Sequence, residues 1–527
     1  MSATAESDIV EESENATAIE VPEVIGEHRW ITAVKWIGFV AASGVALGPI
    51  LTTPIVADDF VMPFSQIDAA GLNPFDIWHW AVTSAPKVGH FNFLGQFVGG
   101  TTSLIWMLLI SAGVKYSTVF AASKLLVYVL CAVAGARFVR EGLRLANVEV
   151  DTWWARIAVA VALFGSLQLH VAWSNDPVAS FPGSGFASVA FGLWYLSIVC
   201  VALRRATWRS AVFAGAIGLC AVLYYEINVS AVVAAGPIVA WSLWRGRAWK
   251  DVPALGRAAV IVGLPAVVTI IIQILVSPAS ANYTGTQIAA ENSPMSTFGK
   301  AVVSSLPGAA WPKARTWINH SFPVRTYPVL VIVVLLVLLW YLARAFGTRR
   351  VTDSGPRDWL AFAAVVASPL TYWLGATLIQ SLTRKVQDEV NEIGKVYNFY
   401  AVGATAIAVA AVLMFSAIPN WKWLHRLAPV AVGIGALFLS LQFLINAELS
   451  KDINAQTVPN RELLVAYSSH APVEERCRTI RTWTAGAWPD YYENQIVVGM
   501  ELGYQQFHDE SFCPGFDRVA EGLGLPG

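Results

Sequence analysis

The sequence predicts an all-α integral membrane protein of about eleven transmembrane helices, with interfacial helices in the first outer loop and a small C-terminal extracytoplasmic portion. Three observations carry this. The chain is 56% hydrophobic and only 13% charged, well outside the balance of a soluble globular protein. Apolar windows of about 20 residues, the length a helix needs to span the hydrocarbon core, recur between short loops. Those windows are apolar on every side, as in "YPVLVIVVLLVLLWYLA" (327–343), whereas a barrel strand alternates.

Three regions follow. Residues 1–30 hold many acids and almost no bases, and read as a solvated tail on the cytoplasmic side and not as a signal peptide. Residues 31–447 form the multi-spanning body, and 448–527 the polar C-terminal portion. Arg and Lys concentrate in the loops at 137–156, 204–209, 244–257, 344–357 and 420–426, which assigns them to the cytoplasm. The loops at 173–185, 224–230, 277–326 and 380–395, with the C-terminus, then face outward. Parity allows crossings at 33–56, 117–137, 154–172, 184–203, 208–225, 229–245, 257–276, 327–344, 358–380, 396–418 and 427–447. It leaves the apolar piece at 92–112 lying along the outer surface or dipping in and returning. The segment 73–84, with Trp78, His79 and Trp80, suits the interface in the same way. Net charge is −1, so no basic field argues for nucleic acid.

Polar chemistry gathers in the outward loops. Asp58 and Asp59 directly follow the first apolar run. Two adjacent carboxylates repel, so one holds a proton more readily than an isolated aspartate does, which suits a general base; a wetted helix end explains the doublet equally. Asn175 and Asp176 offer a second carboxylate across a cleft, or only an Asn-Asp-Pro turn. Glu226 sits between two crossings that almost touch in sequence, where an ionisable group needs a wet cavity or a partner. Arg384, Lys385 and Lys395, followed by Tyr397 and Tyr400, supply positive charge for a phosphate, with Lys395 at the mouth of a crossing. Lys87, His90 and Asn92 form another polar cluster. Trp311, Trp317 and His320 in the long outer loop can stack on sugar rings or anchor the loop to headgroups.

Cysteines divide by position. Cys131, Cys200 and Cys220 lie in apolar runs as small core residues, while Cys477 and Cys513 lie in the polar tail and can pair in an oxidising compartment. No His/Cys cluster has metal-ligand spacing in the outward loops.

The chain resembles the GT-C superfamily of membrane glycosyltransferases, of the bacterial cell-envelope type. The likeness rests on "ADDF" (57–60) after the first crossing, a first outer loop with surface helices, the acidic loop at Asn175–Asp176, and an external C-terminal portion. It implies transfer of a hexosyl or pentosyl group from a polyprenyl-phosphate donor to a cell-envelope glycan or lipid acceptor on the outer face. It implies Asp58 or Asp59 as the base, with Asp176 or Glu226 positioning an acceptor or a divalent cation, Mg or Mn. Arg384, Lys395 and Tyr397 would hold the donor phosphate, and His90, Asn92, Trp311 and His320 would line the substrate. The competing reading is a transporter or flippase of a lipid-linked precursor, which calls for ionisable groups within the spans.

Overall fold

The computed structural model describes the chain except residues 1–28, 55, 57, 172, 247–249, 277, 280–282, 290–292, 312–350, 354, 418–421, 470, 487–489 and 517–527. At 58, 59, 88, 173, 351, 352, 417, 422–432, 436, 486 and 490–494 only the backbone is described. The acidic tail, His320, Trp317 and the expected crossing at 327–344 therefore lie outside the described residues, as do the side chains of Asp58 and Asp59.

The first half of the chain forms α1 (Arg29–Ala46), α2 (Gly48–Leu51), α3 (Asp58–Ala70), α4 (Pro74–Ser84), α5 (Phe93–Ser111), α6 (Tyr116–Leu145), α7 (Thr152–Ser166), α8 (Ser188–Arg205) and α9 (Trp208–Tyr224). There follow α10 (Val229–Ala234), α11 (Gly236–Arg245), α12 (Val252–Ala258), α13 (Leu264–Val276) and α14 (Pro294–Ser304). The remainder forms α15 (Trp359–Ser381), α16 (Arg384–Glu389), α17 (Phe399–Ala417), α18 (Lys422–Gln456), α19 (Val458–Ser468), α20 (Val473–Gly486) and α21 (Asp490–His508). Among the described residues, eight helical stretches are long and apolar enough to cross a membrane by length and composition, and α7 and α9 are shorter apolar helices. The structure is not purely helical. Three-residue strands, β1 (Val148–Val150) and β2 (Val351–Asp353), pair antiparallel with Val148 opposite Asp353.

Charge identifies one end of the bundle. Buried Glu141, near the end of α6, accepts from Arg140 and Arg144 of its own helix and from Arg204 at the end of α8. Arg245 at the end of α11 pairs with Asp358, just before α15, and the β1–β2 ladder joins the same loops. A carboxylate removed from water needs such partners, so these ion pairs tie four helix ends together. Small residues let the helices approach. A Cβ on Gly142 would stand 2.6 Å from Val365, and one on Gly192 would stand 2.6 Å from the Tyr372 hydroxyl.

The opposite end is layered. Helix α5 is among the eight stretches of spanning length, yet its first turn meets the far end of α9, where a Cβ on Gly95 would lie 1.9 Å from the Tyr224 carbonyl oxygen. Its later turns meet the start of α6: Trp106 donates to Ser123 at 2.7 Å, and Met107 and Ile110 share a core with Phe64 and Phe120. Both contacts lie away from Glu141 and Arg204, so α5 lies across this end of the bundle. Helix α4 joins it, capped by Asn73, whose side chain accepts from the Phe75 N–H, and followed by Pro74, whose fixed φ suits a first turn. Ile77 and Ala81 face inward while Phe75 and Trp78 remain exposed.

The C-terminal helices α19–α21 cover α3. Phe60, Phe64 and Ile67 pack with Leu463, Tyr467, Trp483, Met500 and Tyr504 in a core separate from that of the bundle. A disulfide joins Cys477 to Cys513, and beside it buried Arg476 donates to the carbonyls of Ala471, Ser511 and Phe512, the Tyr504 hydroxyl and Glu510. The boundary expected at 447/448 falls inside α18, which runs on to Gln456 beside the end of α2, where Asn454 donates to the Thr52 carbonyl at 3.1 Å. Backbone contact between α21 and α3 is close enough to test. A Cβ on Gly499 would stand 1.9 Å from the Phe64 carbonyl oxygen, so Gly499→Ala is expected to cost about 1–3 kcal/mol by forcing the helices apart. Gly299→Ala, whose Cβ would meet nothing within 4 Å, is the control and should leave the thermal midpoint unchanged or raise it.

Candidate functional site

Helix α9 stops at Tyr224 because Tyr225 turns extended (φ −160°, ψ 132°), and a single 3₁₀ turn, Glu226–Asn228, re-enters as α10. Asn228 holds this corner by donating back to the Ala221 carbonyl at 2.8 Å and accepting from Tyr372. Glu226 thereby points at the segment leading into α5. Its Oε1 accepts from the Phe91 N–H at 2.8 Å and lies 3.0 Å from His90 Nδ1, both side chains being about one-fifth exposed (21% and 22%). Gly89, at φ 76°, supplies the left-handed turn that brings His90 round, and the His90 N–H closes it on the Ala85 carbonyl.

A strap from the long outer loop completes the enclosure. Residues 283–289 are held against the start of α16 mainly by main-chain bonds: Lys385 N to Thr284 O, Arg384 N to Gln287 O, and Ala289 N to Leu382 O, with an isolated bridge between Ile288 and Thr383. The Gln387 amide adds a bond to the Ala289 carbonyl at 2.7 Å. This sets Tyr283 5.5 Å from the His90 ring and places its hydroxyl 3.3 Å from Lys385 Nζ. The same ammonium lies 5.3 Å from the centre of the Tyr397 ring, which in turn neighbours Phe181 at 6.1 Å. Asn398 donates to the Tyr225 hydroxyl at 2.7 Å, closing the ring of residues. One carboxylate, one imidazole, one ammonium and a set of aromatic faces thus converge from five separate parts of the chain.

Electrostatics there are set by opposing influences. Burial disfavours the imidazolium of His90, the charge and hydrogen bond of Glu226 favour it, and Lys385 repels it; the balance raises the His90 pKa above its ordinary 6.5. When His90 is protonated, it and Lys385 are two cationic groups flanking Tyr283, with Glu226 behind His90.

Other expected site residues lie elsewhere or are turned away. Asp176 does not face a cleft. It is wholly buried, its carboxylate accepting from the N–H groups of His170 at 2.8 Å and Val178 at 2.9 Å, with His170 Nδ1 at 3.2 Å. A dehydrated carboxylate needs such donors, and here its own turn provides them. Lys395 reaches out to Asn391 at 2.9 Å, and Arg384 lies 3.8 Å from Asp388; neither joins the His90 cluster. Trp311 is not placed to stack on a sugar beside that cluster, since it packs on Phe438 and donates to Gln442 at 2.7 Å. Asn92 is buried at the start of α5 with no partner for its Oδ1 among the described residues. Asp58 and Asp59 open α3 at the same end of the bundle. Among the described residues no three His, Cys, Asp or Glu side chains gather as a metal site.

The missed residue is Tyr283, and of the three cations expected to serve a phosphate it is Lys385, not Lys395 or Arg384, that joins the cluster. Lys385 adjoins Arg384, and successive helical positions point about 100° apart, so which of the two faces inward depends on helix phase. Tyr283 carries no sequence signal beyond its place in the long loop.

No protein-family model matches the chain, and no curated protein matches it. Among solved structures it is similar to the cryo-EM structure of arabinosyltransferase EmbB from Mycobacterium smegmatis, with a TM-score of 0.32 and 14% identity, covering 83% of this chain and 43% of that one. The chain therefore spans less than half the length of that protein, and a likeness so slight says nothing of what this chain does.

Proposed function

We propose that the chain is a membrane glycosyltransferase of the GT-C type, moving a hexosyl or pentosyl group from a polyprenyl-phosphate donor to a cell-envelope glycan or lipid acceptor. The observation that carries the reading is the meeting of Lys385 and the His90–Glu226 pair with Tyr283, Tyr397 and Phe181 at the end of the bundle where Asp58 and Asp59 open α3. Two cations suit a lipid phosphate, and aromatic faces suit the apolar side of a sugar ring. In this scheme Asp58 or Asp59 takes the proton of the acceptor hydroxyl while that oxygen bonds to the anomeric carbon. The carbon–oxygen bond to phosphate breaks, its electron pair stays on the phosphate, and Lys385 with protonated His90 neutralises the added charge. The acceptor gains the sugar and the polyprenyl phosphate leaves.

The test is sugar transfer by the purified protein in lipid nanodiscs from a labelled polyprenyl-phosphate sugar, with Glu226→Gln beside the wild type. Removing the carboxylate removes what raises the His90 pKa, so the imidazolium is lost at lower pH. Donor kcat/KM is expected to fall by about 10- to 100-fold near neutral pH, the range of one charge-assisted hydrogen bond, and its alkaline limb should move to lower pH. The same pair acts on stability. Its contribution is full below the ordinary imidazole pKa and is lost as pH rises through the raised one. A wild-type protein that transfers no sugar but moves the lipid-linked sugar between leaflets would put the flippase reading in its place.

A further inference from the structure

We infer that the basic end of the bundle carries a binding site for an anionic phospholipid headgroup, formed by Arg156 and Arg140 with the indoles of Trp36 and Trp153. The site is remote from the His90 cluster and independent of the proposed reaction.

Arg156, in the first turns of α7, lies in the angle between two aromatic rings. Its guanidinium lies 4.3 Å from the centre of the Trp36 ring on α1 and 4.6 Å from that of Trp153. The two indoles meet edge-on at 5.3 Å, and Phe39 packs against both. An aromatic ring attracts a guanidinium through its face but takes none of its hydrogen bonds, so the N–H groups still call for an acceptor. Among the described residues those groups donate no hydrogen bond and form no ion pair, although the side chain is half-buried. A planar fork of this kind matches the oxygens of a phosphate.

The surrounding charge points the same way. Arg140 lies close enough to repel Arg156, while Asp151 attracts it. Arg140 itself is bound to Glu141 and Thr152, and Glu141 is shared with Arg144 and Arg204. Asp151 is occupied in capping α7 through the Trp154 N–H. Four guanidiniums thus face two carboxylates, Glu141 and Asp151, and a further anion would relieve the excess.

A lipid, and not free phosphate, is indicated by what adjoins the fork. Helix α1 leaves Val34, Ile37 and Val40 exposed (57%, 69% and 37%) alongside Trp36, an apolar strip on which acyl chains can lie while the headgroup sits on Arg156. Under the positive-inside rule this end faces the cytoplasmic leaflet, where anionic lipids attract basic clusters.

The experiment is native mass spectrometry and thermal unfolding of the full-length protein in detergent, titrated with phosphatidylglycerol, with phosphatidylcholine of the same chains, and with inorganic phosphate. The wild type should retain phosphatidylglycerol about tenfold more tightly than phosphatidylcholine, the scale of one charge-assisted contact, and gain thermal stability from it alone. Arg156→Gln should abolish the preference, Arg156→Lys should keep part of it, and Arg209→Gln, an exposed arginine at the same end, should keep all of it. Equal binding of the two lipids by the wild type overturns the inference without any variant. So does an undiminished preference in Arg156→Gln, and so does stabilisation by inorganic phosphate equal to that by the lipid.

Discussion

Asparagine in place of one of Asp58 and Asp59 is expected to lower sugar transfer by about 10²- to 10⁴-fold, the usual worth of a positioned general base. The same change at the other is expected to cost far less. Donor binding should be unaffected in both, because Lys385 and the His90–Glu226 pair stay in place. The two positions can be told apart by pH. In the variant that keeps the base, loss of its charged neighbour removes a repulsion, so the remaining aspartate deprotonates more readily and the acid limb of kcat moves to lower pH. The start of a helix favours the ionised carboxylate too, and α3 begins at Asp58. Single-turnover rates with donor dissociation constants decide the matter: wild-type turnover in both single variants would leave the chain without a base at this doublet.

Much of the architecture was legible because it follows from solvent preference. Arginines at 140, 144, 204 and 245 gather at one end, as their loop positions lead one to expect. Parity denies a crossing to 92–112, whereas by apolar length α5 counts among the eight stretches long enough to span, and its first turn rests on the Tyr224 end of α9. What the pattern could not carry is contact between distant segments. His90 and Glu226 are separately conspicuous in the sequence, one in a polar cluster and one between adjacent crossings. Nothing in either stretch indicates that they meet across 136 residues. Asp176 shows the opposite failing. An Asn-Asp-Pro run has the same letters whether its carboxylate faces a cleft or closes its own turn, and burial selects the turn. The β1–β2 pair escapes notice because three residues are too few for alternation to register.

Removing the Cys477–Cys513 bridge by changing both residues to serine is expected to destabilise the C-terminal cap by about 3–4 kcal/mol. The estimate is the chain-entropy value for a closed loop of this size, the cysteines being 36 residues apart. Arg476 limits the damage to loosening, since its bonds to the Phe512 and Ser511 carbonyls and to Glu510 hold the same loop without the disulfide. The cap is the main support of α3. Phe60 packs on Trp483 at 5.9 Å between ring centres and Phe64 on Tyr467 at 5.9 Å, while Gly499 lets α21 rest on the Phe64 backbone. Because Asp58 and Asp59 stand at the first turn of that helix, a loosened cap lets the carboxylates drift, whereas Lys385, His90 and Glu226 are held by α9, α16 and the 283–289 strap. The double variant, or the wild type under reductant, should therefore lose turnover at temperatures where its cap becomes open to protease, with donor affinity retained. Turnover that persists after the cap has opened would mean that α3 keeps its place through α4 and α5 alone.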